Sequence, residues 1–128
     1  MCLLFAVSTA TVARAMPEQA VTLATCYGYY AAAVDHSRLD QGEHDGARMR
    51  RDLFEAMTNA LVAEQATDRR LTISVTQTRV QARAQMRRLM RSAYFDADAR
   101  RQRIALANIR RQLSACNAAL LDRRYSGF

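Results

Sequence analysis

Apolar positions recur along this chain with a helical period. Ala20, Leu23, Tyr27, Tyr30 and Val34 follow one another at steps of three and four, the spacing that lines one face of an α-helix. Pro17 is placed to open that helix, because a proline's missing N–H is no loss in a first turn. The pattern predicts a helix from about Pro17 to about Val34. The stretch Asp35 to Gly46 is polar, holds Gly42 and Gly46, and reads as a loop. Asp45 then stands as the cap of a second helix, running to about Ala66, with Leu53, Phe54, Met57, Ala60 and Leu61 facing inward. Thr67 or Asp68 caps a third.

No glycine or proline interrupts residues 47–126, where alanine, arginine, leucine, glutamine and methionine dominate; all are good helix formers. One helix across that whole length is excluded by the pattern. Ala82, Met86, Leu89 and Ala93 form one apolar seam, and Leu106, Ile109, Leu113, Cys116 and Leu120 form another. Extending the first by heptads lands on Asp96, Arg100 and Arg103, and the second seam is one residue out of phase. A turn is expected between them, with Asp96 as cap and Asp98 in the first turn of a fourth helix. Residues 71–80 alternate Leu71, Ile73 and Val75 with Thr72, Ser74 and Thr76. That alternation also suits a short strand, but no second strand is in sight to pair with it, so helix is expected. The fold class is therefore all-α, an antiparallel bundle of about four helices in up-down-up-down order.

The cysteines bear on that arrangement. Cys26 lies nine residues after Pro17, and Cys116 lies six residues before Asp122. In antiparallel helices these heights differ by about 4.5 Å at 1.5 Å per residue, which is compatible with a Cys26–Cys116 disulfide. Cys2 sits in a different context. Leu3, Leu4, Phe5, Ala6 and Val7 open an apolar run that continues through Val12 and ends in Ala13-Arg14-Ala15, a small-x-small pattern of the kind cut by signal peptidases. No basic residue precedes the run, as would be the case if the frame opened upstream of Met1. Residues 1–15 are thus expected to be a signal peptide and residues 16–128 a single helical domain, periplasmic or secreted. A lone pair of cysteines in an exported small domain is normally a disulfide.

Charge changes the picture further. The chain carries 19 arginines, no lysine and a formal charge of +7. With 24 alanines, that usage fits a GC-rich coding bias, so the absence of lysine says little about guanidinium chemistry. The distribution says more. Residues 16–68 hold four arginines and nine acids, a net of −5, whereas residues 69–128 hold fourteen arginines and three acids, a net of +11. Arg79, Arg83, Arg87 and Arg91 follow at steps of four with Arg88 beside them and no acid between, an arrangement that is mutually repulsive in an isolated helix. Arg100, Arg101, Arg103, Arg110 and Arg111 extend the basic surface. Either the acidic half packs against this stripe, or an anionic partner lies on it. Since +11 exceeds −5, internal neutralisation is incomplete.

Other chemistry is thin. Asp35, His36, Asp40, Glu43, His44 and Asp45 are metal-ligating types, but their spacing matches no zinc pattern, and a solvated acidic loop explains them. Cys26-Tyr27-Gly28-Tyr29-Tyr30 places Tyr27 and Tyr30 on the core stripe. Gly28 within a helix points to a close backbone approach, which packing beside the disulfide would supply. No nucleophile elbow, zincin motif or phosphate-binding loop occurs, and no cofactor is implied. The leading expectation is a non-enzymatic exported protein that binds another protein or an envelope polyanion through Arg79, Arg83, Arg87, Arg88 and Arg91. The alternative is an intracellular nucleic-acid-binding protein, against which stands the lack of aromatics interleaved with the stripe. A metal-dependent enzyme built on the His36–Asp45 stretch ranks third.

Overall fold

The computed structural model describes the backbone of residues 10–40, 44–65 and 67–122, and the side chains of residues 18–37, 45–65 and 67–122. These residues form four helices and, among the described residues, no strand: α1 (Ala10–Asp40), α2 (His44–Glu64), α3 (Arg69–Phe95) and α4 (Ala99–Leu121). Residues 1–9 of the expected signal peptide lie outside the described residues. The Ala13-Arg14-Ala15 pattern falls in the first turns of α1.

α1 is the central element. Leu23, Ala24, Tyr30, Ala32 and Val34 are all buried although they point in different directions around the helix, as expected of a helix covered on more than one side. Leu23, Ala24 and Tyr30 share a core with Phe54, Met57 and Leu61 of α2 and Leu71 and Val75 of α3. Ala32 belongs to a second core with Met86, Met90 and Ala93 of α3 and Ala105 and Ile109 of α4. Gly28 abuts α3 at Arg79, Ala82 and Arg83, and His36 stacks on Tyr94 farther along, so α1 and α3 run parallel. α1 and α4 run antiparallel, with Cys26 and Cys116 joined at a Cα–Cα distance of 5.6 Å. Tyr30 ties three helices together: its ring stacks on Phe54 at 5.8 Å, and its hydroxyl donates to Asn117 Oδ1 at 2.7 Å.

Several expected boundaries shift. α1 begins at Ala10 rather than Pro17, and it runs through the polar stretch to Asp40 instead of stopping at Val34. The extension is held by tertiary contacts, because Asp35 pairs with Arg83 and Arg87 and His36 stacks on Tyr94; such contacts override weak local propensity. Asp45 is not the cap of α2 but lies in its first turn, where its charge still favours the helix N-terminus. Asp68 caps α3, accepting from the N–H groups of Arg70 and Leu71 at 3.0 and 3.2 Å. Asp96 closes α3 rather than opening α4, which is capped by Asp98 through the N–H groups of Arg100 and Arg101. Residues 71–80 are helical. Leu53, expected inside, is 45% exposed, and Thr58 takes the buried place instead, its hydroxyl satisfied by the carbonyl of Phe54 at 2.6 Å.

Candidate functional site

The arginine stripe of α3 divides into two parts. Arg79 belongs to the packing: its guanidinium lies over the Tyr27 ring at 4.8 Å, and Nη2 donates to Asn59 Oδ1 at 2.9 Å. Arg83 and Arg87 converge on one carboxylate of α1. Arg83 donates to Asp35 Oδ2 from Nε at 2.9 Å and from Nη2 at 2.6 Å, and Arg87 Nη2 donates to the same oxygen at 2.8 Å. The counter-charge missing from α3 thus arrives from α1, 48 residues away from Arg83. Both arginine side chains remain about half exposed to water, at 44% and 57%, so each pair adds only about 0.2–1 kcal/mol of stability.

Arg88 and Arg91 have no such partner. Neither forms an ion pair or a side-chain hydrogen bond among the described residues, and both are exposed. The same holds for Arg100, Arg103 and Arg110 of α4, whereas Arg101 reaches Asp96 at 3.4 Å and Asp98 at 3.6 Å, and Arg111 donates to Asn108. Asp35 therefore offsets one of the two charges of Arg83 and Arg87, and among the described residues Arg88 and Arg91 are left to solvent.

Aromatic and apolar groups gather beside the free pair. Phe95 is 73% exposed and Tyr94 is 50% exposed, the latter stacked on His36 with ring centroids 4.4 Å apart. A groove of about 490 Å³ runs between the end of α1 and the end of α3, walled by Ala32, Asp35, His36, Arg87, Met90, Arg91 and Phe95. A smaller one of about 310 Å³ lies across the ridge, bounded by Arg88, Arg91, Ser92, Phe95 and Asp96. Arg91 and Phe95, one helical turn apart, thus face both. The corner between α3 and α4 is held firmly, since Asp96 Oδ1 accepts the N–H of Asp98 at 2.9 Å and Asp98 caps α4.

Of the predicted site residues, Arg83, Arg87, Arg88 and Arg91 share this end of α3, and Arg79 is set apart by its role between α1 and α2. The stripe has aromatic neighbours after all: Tyr94 and Phe95 follow Arg91 by three and four residues, which puts them on adjoining faces of the helix. That spacing is visible in the sequence, but the assignment of Tyr94 and Phe95 to the surface required the fold. Asp35 and His36 of the suspected metal cluster are occupied by α3. Asp40, Glu43 and His44 have side chains outside the described residues. Among the described residues, no group of three or more His, Cys, Asp or Glu side chains is placed to hold a metal ion. No described helix is long and apolar enough to cross a membrane. Neither the protein-family models nor the curated proteins and solved structures compared with this chain contain a match to it.

Proposed function

We propose that this is a non-enzymatic exported helical protein that binds an anionic partner, a protein or an envelope polyanion, at the α3–α4 end. One observation carries the reading. Among the described residues, Arg88 and Arg91 have no ion-pair partner and lie beside an exposed phenylalanine, while their neighbours Arg83 and Arg87 share the carboxylate of Asp35. Arginine is suited to such a surface because its planar fork engages carboxylate, sulfate or phosphate oxygens in pairs and is weakly hydrated. The Cys26–Cys116 pair supports export, since disulfides persist chiefly in oxidising compartments.

Binding of the disulfide-bonded protein to a sulfated polysaccharide matrix tests the partner. Retention that weakens steadily with added salt supports the reading, and passage without retention at low salt contradicts it. Intact mass of the protein from its native host tests export: processing after Ala15 leaves a chain that begins at Met16. The nucleic-acid alternative draws on one observation, the exposed Tyr94 and Phe95 beside free arginines, because bases stack on such rings. Tighter binding to a single-stranded oligonucleotide than to the polysaccharide at equal salt, together with an unprocessed chain, would favour it.

A further inference from the structure

The larger groove combines two features that a purely electrostatic surface does not need. Its floor is apolar, where Met90 and Ala32 come to the edge of the core at 7% and 1% exposure, and its lip carries Phe95, which leaves most of its ring in water. The rim is cationic. Among the described residues Arg91 forms no ion pair, and Asp35 within the groove is already shared between Arg83 and Arg87, so these four side chains sum to a positive charge. Its volume of about 490 Å³ falls in the range of sites that hold small molecules, in which apolar walls supply affinity and a few polar groups fix orientation. A polyanion would use the arginines and leave the apolar floor idle. A neutral apolar molecule would leave Arg91 idle.

We infer that this groove binds a small single-chain amphiphile with an anionic head, its alkyl chain lying along Phe95 above the Met90 floor and its carboxylate or phosphate on Arg91. The inference deepens the anionic-partner reading and rests on it, because Arg91 serves both. Phe95 and Arg91 lie one turn apart on the same ridge, so chain and head are engaged together. Arg88, on the far side of that ridge, adds positive field without entering the groove.

Calorimetric titration of the disulfide-bonded protein with decanoate and decyl phosphate, below their micelle concentrations, tests it. Saturable binding at one site is expected, weakened about tenfold or more by Arg91→Gln, the loss expected for one charge-assisted contact. Phe95→Ala should weaken it several-fold, as removal of apolar contact does. Both positions are exposed, so the melting temperature of each variant should stay within about 2 °C of the parent. Equal binding of decyltrimethylammonium would overturn the inference, because the head would then not matter. Equal binding of acetate or inorganic phosphate would overturn it also, because the chain would not. Undiminished affinity in Arg91→Gln would remove the assigned head site. Retention on the sulfated matrix without amphiphile binding would refute the groove alone, whereas failure of both would refute the underlying reading as well.

Discussion

Replacing Gly28 by alanine tests the packing of α1 on α3, and with it the placing of Asp35 and His36. A Cβ at Gly28 would lie 2.7 Å from the Cβ of Ala82, 2.7 Å from the carbonyl oxygen of Arg79 and 2.9 Å from the nitrogen of Arg83. Carbon contacts prefer about 3.5–4.0 Å, so the helices must part by on the order of 1 Å. Two of the three obstructing atoms are backbone and cannot rotate away. Alanine gains about 1 kcal/mol over glycine in helix propensity, and overpacking a filled interface costs about 1–3 kcal/mol, occasionally more. The strain wins here because backbone blocks relaxation, and a net loss of up to about 2 kcal/mol is expected, a fall in melting temperature on the order of 5 °C. Ala82→Gly in the same chain removes one obstruction and leaves both backbone contacts, so rescue should be partial. Gly46→Ala is the control: its Cβ meets only the end of the flexible Arg50 side chain, at 3.2 Å. It should be neutral or stabilising, by up to about 1 kcal/mol. Thermal denaturation of the three variants by circular dichroism reads these signs. A Gly28→Ala protein as stable as Gly46→Ala would refute the close approach.

Reduction of the disulfide should lower stability by up to about 4.5 kcal/mol, since it opens a loop of 90 residues; recovery of two freely alkylated thiols from exported protein would contradict the pairing. Asp35→Asn removes the shared counter-charge of Arg83 and Arg87. It should cost about 0.5–1 kcal/mol in denaturant melts yet increase retention on a sulfated matrix, and unchanged retention would mean those arginines do not contribute to the surface field. Burial raises the pKa of Tyr30, with the charge of Arg50 working in the opposite direction. A phenol raised on folding stays neutral longer, so its stabilising contribution is full below about pH 10, the unfolded value, and is lost as pH rises through the folded one. Tyr30→Phe should accordingly remove a late-ionising group from the tyrosinate absorbance titration; loss of an early-ionising one would contradict the burial argument.

The helices were legible because their signals are local. The seam through Ala82, Met86 and Ala93 and its break at Asp96 follow from side-chain periodicity. The Cys26–Cys116 pairing is expected too, although it rests on heights counted from Pro17, and α1 begins at Ala10. What escaped the sequence depends on contacts between distant residues. Asp35 and His36 look like loop residues until Arg83, Arg87 and Tyr94 are brought beside them, and only then does α1 extend to Asp40. Gly28 signalled a close approach correctly, but its partner is the backbone of α3 and not the neighbourhood of the disulfide. The stripe from Arg79 to Arg91 was visible as five like charges. Its division into matched and unmatched arginines was not, because that depends on the reach of one carboxylate from another helix. Tyr94 and Phe95 were hidden for a related reason: only packing assigns an aromatic pair next to the buried Ala93 to the surface.

That division permits the most direct test of the arginine surface. The double variants Arg88→Gln/Arg91→Gln and Arg83→Gln/Arg87→Gln remove the same charge from the same helix, so their elution salt from a sulfated polysaccharide column, measured beside their melting temperatures, isolates the role of position. If the unmatched pair forms the binding surface, the first variant elutes at clearly lower salt than the second while melting within about 2 °C of the parent. The second, which strips Asp35 of its partners, should melt lower. Equal elution of the two variants, with destabilisation in both, would contradict the proposal and leave the stripe as part of the scaffold.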